Sequence, residues 1–128
     1  MQNETDRSLE VELLGIGTPE PTDDRGRRAV RDWARKTKPL KGFNPRVEFH
    51  IWFSDEALDY LLGWGWHRHM THVSAKDNWC IFDLELQRAC QLTKSLVGYG
   101  FPILAGEIEK VCEKVYPYTW QVLREANR

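Results

Sequence analysis

The stretch Arg46-Val47-Glu48-Phe49-His50-Ile51-Trp52-Phe53 decides how the rest of the chain is read. Val47, Phe49, Ile51 and Phe53 fall on one face of an extended backbone, and Glu48, His50 and Trp52 fall on the other. That alternation marks a half-buried strand, with one face on a core. Directly after it, Ser54 suits an N-cap, and Asp55 and Glu56 suit the positive end of a helix. Leu58, Leu61 and Leu62 supply that helix's apolar stripe. Inside a helix, Gly63 and Gly65 would cost about 1 kcal/mol each relative to Ala, so the helix is expected to end near them.

Working towards the N-terminus, Pro39, Gly42 and Pro45 mark a linker. Before it, Thr22, Asp23 or Asp24 caps an expected helix running to about Thr37, with acids at its start and bases at its end. Ala29, Val30, Trp33 and Ala34 give this helix only a narrow apolar stripe, so most of its surface is expected to face water or a partner. Leu9, Val11 and Leu13 alternate with Glu10 and Glu12 as a second short strand, closed by Gly15, Gly17, Pro19 and Pro21. Residues 1–8 are polar and are expected to be a disordered acidic leader.

Towards the C-terminus, residues 64–73 fit loop, strand or distorted helix equally well. A helix is predicted over Asp83 to Val97 through Leu86, Ala89, Cys90, Thr93 and Val97, with Gly98 as its stop. Pro102 suits the first turn of the next helix, whose apolar face is Leu104, Ile108, Val111, Cys112 and Val115. Pro117 opens a short terminal helix ending in Leu123. The expected fold is therefore one α+β domain over residues 9–128: a short two- or three-stranded sheet with a predominantly helical C-terminal half.

At 128 residues the chain is the size of one domain, and 41% hydrophobic residues with six Trp, five Phe and four Tyr supply a core. No stretch approaches the roughly 18 apolar residues a membrane helix needs. An acidic rather than basic N-terminus argues against a signal peptide. Cys80, Cys90 and Cys112 are an odd set without a CxxC spacing, better read as buried thiols than as a disulfide framework. A cytoplasmic protein is the expectation.

The net charge of −1 conceals a marked asymmetry. Residues 1–24 carry seven acids and one base, and residues 47–128 carry eleven acids and eight bases. Between them, Arg25, Arg27, Arg28, Arg31, Arg35, Lys36, Lys38, Lys41 and Arg46 stand against Asp32 alone, a local charge of +8. A basic helix and its following loop suit an anionic partner. Trp33 and Phe43 lie within the block, where aromatic rings can stack on bases. Trp52, on the polar face of the central strand, is the tryptophan expected at an interface.

His67, His69 and His72 fall within six residues, with Cys80 eight residues further on. Imidazole and thiolate are zinc ligands, so a zinc-dependent or zinc-stabilised domain on these four is one alternative. Their spacing follows no established zinc signature. On a helix His69 and His72 share a face, and on a strand His67 and His69 do, so either geometry recruits only two. No G-x-S-x-G, phosphate-loop glycine motif or cysteine–histidine nucleophile pattern is present. The helix over residues 102–115 carries Glu107, Glu109 and Glu113, the wrong sign for a DNA-reading helix.

These features favour a non-catalytic interaction domain of the inhibitor, immunity or viral and phage accessory type, with no cofactor. It would bind another protein's acidic surface through Arg25, Arg27, Arg28, Arg31, Arg35, Lys36, Lys38 and Lys41, with Trp33 and Trp52. A nucleic-acid-binding module using the same basic segment is the other alternative.

Overall fold

The computed structural model describes residues 10–15, 17–36, 41–74 and 76–127, with backbone alone for 10–15. The elements run β1 (Glu10–Gly15), α1 (Asp24–Lys36), β2 (Arg46–Trp52), α2 (Asp55–Gly63), a 3-10 turn (Trp66–His69), β3 (Met70–Ser74), β4 (Trp79–Glu85), α3 (Leu86–Gly98), α4 (Pro102–Val115) and α5 (Pro117–Ala126). The α+β class and the helical C-terminal half hold. The expected leader, residues 1–8, lies outside the described residues.

Four strands form one antiparallel sheet in the order β1-β2-β4-β3. β2 sits in its middle, with Phe49 opposite Leu13 of β1 and Phe82 of β4. The alternation seen in the sequence is realised: Val47, Phe49 and Ile51 are buried, while Arg46, Glu48, His50 and Trp52 are half-exposed. In β4 the buried set is Cys80, Phe82 and Leu84.

The sheet is larger than expected because Met70–Ser74 and Trp79–Glu85 pair as antiparallel strands. The helix predicted from Asp83 begins three residues later, at Leu86. Residues Asp83 to Glu85 complete a strand instead, with Arg46 opposite Glu85 and Glu48 opposite Asp83. Trp79 and Ile81 on the outer face masked the period of two, and only pairing with β2 reveals it. The Leu86 amide donates to the Pro45 carbonyl at 2.9 Å, which closes the ladder as the helix starts.

Local signals place the helices. The Asp23 carboxylate accepts from the Gly26 amide at 2.8 Å and begins α1. Ser54 Oγ accepts from the Ala57 amide at 3.2 Å and begins α2. Pro102 and Pro117 open α4 and α5. The α1 helix packs on α5 and α3 on α4, and the core joins Val30, Trp33, Leu92, Leu104, Ile108 and Trp120 to the buried sheet face. Cys80, Cys90 and Cys112 are all buried free thiols. At Gly17 a Cβ would lie 2.2 Å from the Arg46 amide nitrogen and 2.3 Å from the Asn44 carbonyl, so backbones meet there at a distance only glycine allows. No helix among the described residues is long and apolar enough to cross a membrane.

Candidate functional site

Two surfaces carry unusual chemistry. The first is the outer side of α1. Val30, Trp33 and Ala34 turn inward, and Arg25, Arg27, Arg28, Arg31 and Arg35 are all exposed. Folding thus gathers most of the basic block on one helix. Two of these arginines are tethered to α5. Arg27 lies over the Tyr118 ring at 4.8 Å, and Arg31 Nη1 donates to Tyr118 Oη at 3.3 Å. Tyr118 Oη in turn donates to the Arg27 carbonyl at 3.3 Å. Arg35 pairs with Asp32 one turn earlier, at 3.1 Å. Arg25 and Arg28 form no ion pair with any described residue. Beside them, Arg31 and Arg35 share a shallow groove of about 360 Å³ with Val122, Glu125 and Ala126 of α5. Lys41 is exposed beyond the helix; Lys36 ends α1, its side chain outside the described ones, and Lys38 lies outside the described residues.

The expectation for Trp33 requires correction. It is only 8% exposed and meets Phe43 edge-on at 5.1 Å, so both rings belong to the core and neither is offered to a partner. A narrow apolar stripe on a charged helix still has to be covered, and Phe43 packs over its tryptophan. Arg46, from the end of the block, lies on the outer sheet face and bonds Asp83 Oδ1 through Nη2 at 2.6 Å. Trp52 is half-buried there, its ring 5.6 Å from that of Trp79, which also meets His72 at 5.0 Å.

The structure does not gather the four residues of the zinc alternative. His67 and His69 lie in the 3-10 turn, His72 on β3 against Trp79, and Cys80 on the buried side of β4. Trp79 and Cys80 are neighbours in a strand and point to opposite faces, so His72 and Cys80 are separated by the sheet. Burial pushes the Cys80 thiol up to about 12, away from the thiolate that binds metal. Among the described residues no group of three His, Cys, Asp or Glu side chains is arranged to hold a metal ion.

The second surface is one that reading the sequence missed: a cleft of about 450 Å³ between the end of α2, the 3-10 turn and α3. Gly65, at φ +84°, turns the chain in the left-handed region between Trp64 and Trp66, and all three residues line the cleft. Tyr60, Trp64 and Tyr99 form a contiguous aromatic wall, with ring centres 4.7 Å apart for Tyr60–Tyr99 and 4.9 Å for Trp64–Tyr99. Trp64 is 61% exposed and Tyr99 51%. Arg68 and Arg88 line the same cleft, with Arg88 Nη1 donating to Gln91 Oε1 at 2.7 Å. Burial, with the guanidiniums of Arg88 and Arg68 nearby, holds the His69 imidazole below its usual range. The paired tryptophans Trp64 and Trp66 were the available signal, but Arg88 and Tyr99 join them only through the fold.

The chain matches no family model, no curated protein and no solved structure.

Proposed function

We propose that this chain is a non-catalytic binding protein that docks an acidic surface of another protein on the outer face of α1. The observation that carries the reading is the exposure of five arginines on one helix whose opposite stripe is buried in the core. Anchoring of Arg27 and Arg31 on Tyr118 reduces the side-chain entropy that binding would otherwise remove. Arg25 and Arg28, without an ion-pair partner among the described residues, supply long-range attraction and fast encounter.

A protein surface suits this face better than a phosphate backbone. The groove beside the arginines also holds Glu125 and Val122, and Arg35 at its edge pairs with Asp32. Mixed charge with apolar contact is the character of a protein interface rim. A track of phosphates would meet repulsion from both carboxylates.

The test is affinity capture from a host lysate, split into nuclease-treated and untreated halves, with the parent chain and two variants. Arg28→Glu/Arg35→Glu reverses the α1 face; Lys110→Glu/Lys114→Glu makes the same charge change on α4. One protein retained in both halves, lost with the first variant and kept by the second, is the expected result. Recovery abolished by nuclease transfers the face to nucleic acid, and capture insensitive to the α1 reversal overturns the reading.

A further inference from the structure

The cleft beside the 3-10 turn has a different chemistry from α1. Its wall leaves Trp64 and Tyr99 each more than half exposed although both rings already touch neighbours. Exposed aromatic surface gathered in one concavity is the mark of a ligand site rather than of packing. Its cations are both arginines, whose planar guanidiniums match phosphate oxygens in pairs. No carboxylate lines the cleft among the described residues. Glu85, which acts on His69 from outside it, faces Arg46 at 3.8 Å. In a chain of net charge −1, a concavity lined by two arginines and no acid favours an anion.

We infer that this cleft binds a nucleoside phosphate, with the base stacked on Trp64 beside the inclined ring of Tyr99 and the phosphate held by Arg68 and Arg88. The polar side chains of the same lining decide for a base over a phosphorylated phenol. Gln91 presents an amide, Ser95 a hydroxyl and His69 an imidazole to the same space. These groups donate and accept hydrogen bonds, which the ring nitrogens and exocyclic groups of a base can use and a phenyl ring cannot. A volume of about 450 Å³ lies in the range of small-ligand pockets. The phosphate belongs either to a free nucleotide or to one unit of a single strand, since both present the same ring and anion.

Isothermal titration of the full chain with 5′-AMP, adenosine, inorganic phosphate, phosphotyrosine and a single-stranded oligoadenylate tests the assignment. 5′-AMP should bind saturably, with adenosine and phosphate alone each at least about tenfold weaker, because each keeps only half of the site. Trp64→Ala should weaken 5′-AMP about fivefold or more, the low end of what one stacked base contributes, and Arg68→Ala about tenfold or more, as loss of a hydrogen bond to a charged group does. Both side chains are exposed, so neither change threatens the fold. Tighter binding of the oligoadenylate than of 5′-AMP identifies a single strand as the source, and equal binding identifies the free nucleotide. Arg28→Glu should leave the titration unchanged, which separates this site from the α1 face. No saturable binding of 5′-AMP or oligoadenylate at millimolar concentration would overturn the inference. So would undiminished binding by Trp64→Ala, or binding of phosphotyrosine in place of the nucleotides.

Discussion

The carboxylate of Glu20 caps a helix that begins ninety-seven residues later: its Oε2 accepts from the Thr119 amide at 2.9 Å and the Thr119 hydroxyl at 3.0 Å. Its other oxygen lies 3.4 Å from the Tyr118 amide. No side chain of α5's own N-cap residue serves that end, and Thr119 is fully buried. The negative charge also complements the positive end of the helix dipole. Glu20→Ala should therefore lower stability by about 1–2 kcal/mol, as loss of a cap does. Glu20→Gln should lower it less, because an acceptor remains and only the charge is lost. Urea unfolding of the three proteins checks the order, and equal stability of parent and Glu20→Ala would refute the cap.

Trp33 and Arg28 sit five residues apart on α1 and should behave oppositely. Trp33→Ala removes a core ring and should cost about 3–5 kcal/mol. Arg28→Glu changes an exposed side chain and should move stability by no more than about 0.5 kcal/mol. Thermal unfolding of each distinguishes core from binding face before any partner is known.

Asn78 closes the turn between β3 and β4 with φ +54°, in the left-handed region. Its carbonyl accepts from the Phe53 amide at 2.9 Å, and its side-chain amide donates to Asp55 at the start of α2. Both Asn78→Ala and Asn78→Gly lose the side-chain bond, but only glycine takes the left-handed backbone freely. The alanine variant should be less stable than the glycine variant by about 1 kcal/mol. Reversal of that order would show that the turn relaxes out of this conformation.

The buried thiols predict loss of stability in alkali. Burial raises Cys90 and Cys112 as well as Cys80, the last to about 12 from an ordinary 9.0. Above pH 9 the unfolded chain releases these protons while the folded chain keeps them, so stability falls as pH rises. Below pH 9 the thiols contribute no such slope. Each thiol adds about 1.4 kcal/mol per pH unit within its window. Under reducing conditions, the urea midpoint should drop between pH 9 and 11, and Cys80→Ala should make the drop shallower. An unchanged slope in that variant would mean that Cys80 ionises alike in both states.

Features that depend on neighbours along the chain were legible in the sequence. The alternation of Val47, Phe49 and Ile51, the Ser54 cap, Pro102 opening α4 and the arginines of α1 are all local patterns, and each appears where it was read. Features that depend on distant partners emerged only on folding. Residues Asp83 to Glu85 became strand because β2 offered a ladder. Trp33 became core because Phe43 folded over it. Tyr60, Arg68, Arg88 and Tyr99 came to share a cleft across some forty positions of chain. Periodicity shows which face of an element is apolar, but which element covers that face, and what is left uncovered, is set by long-range packing.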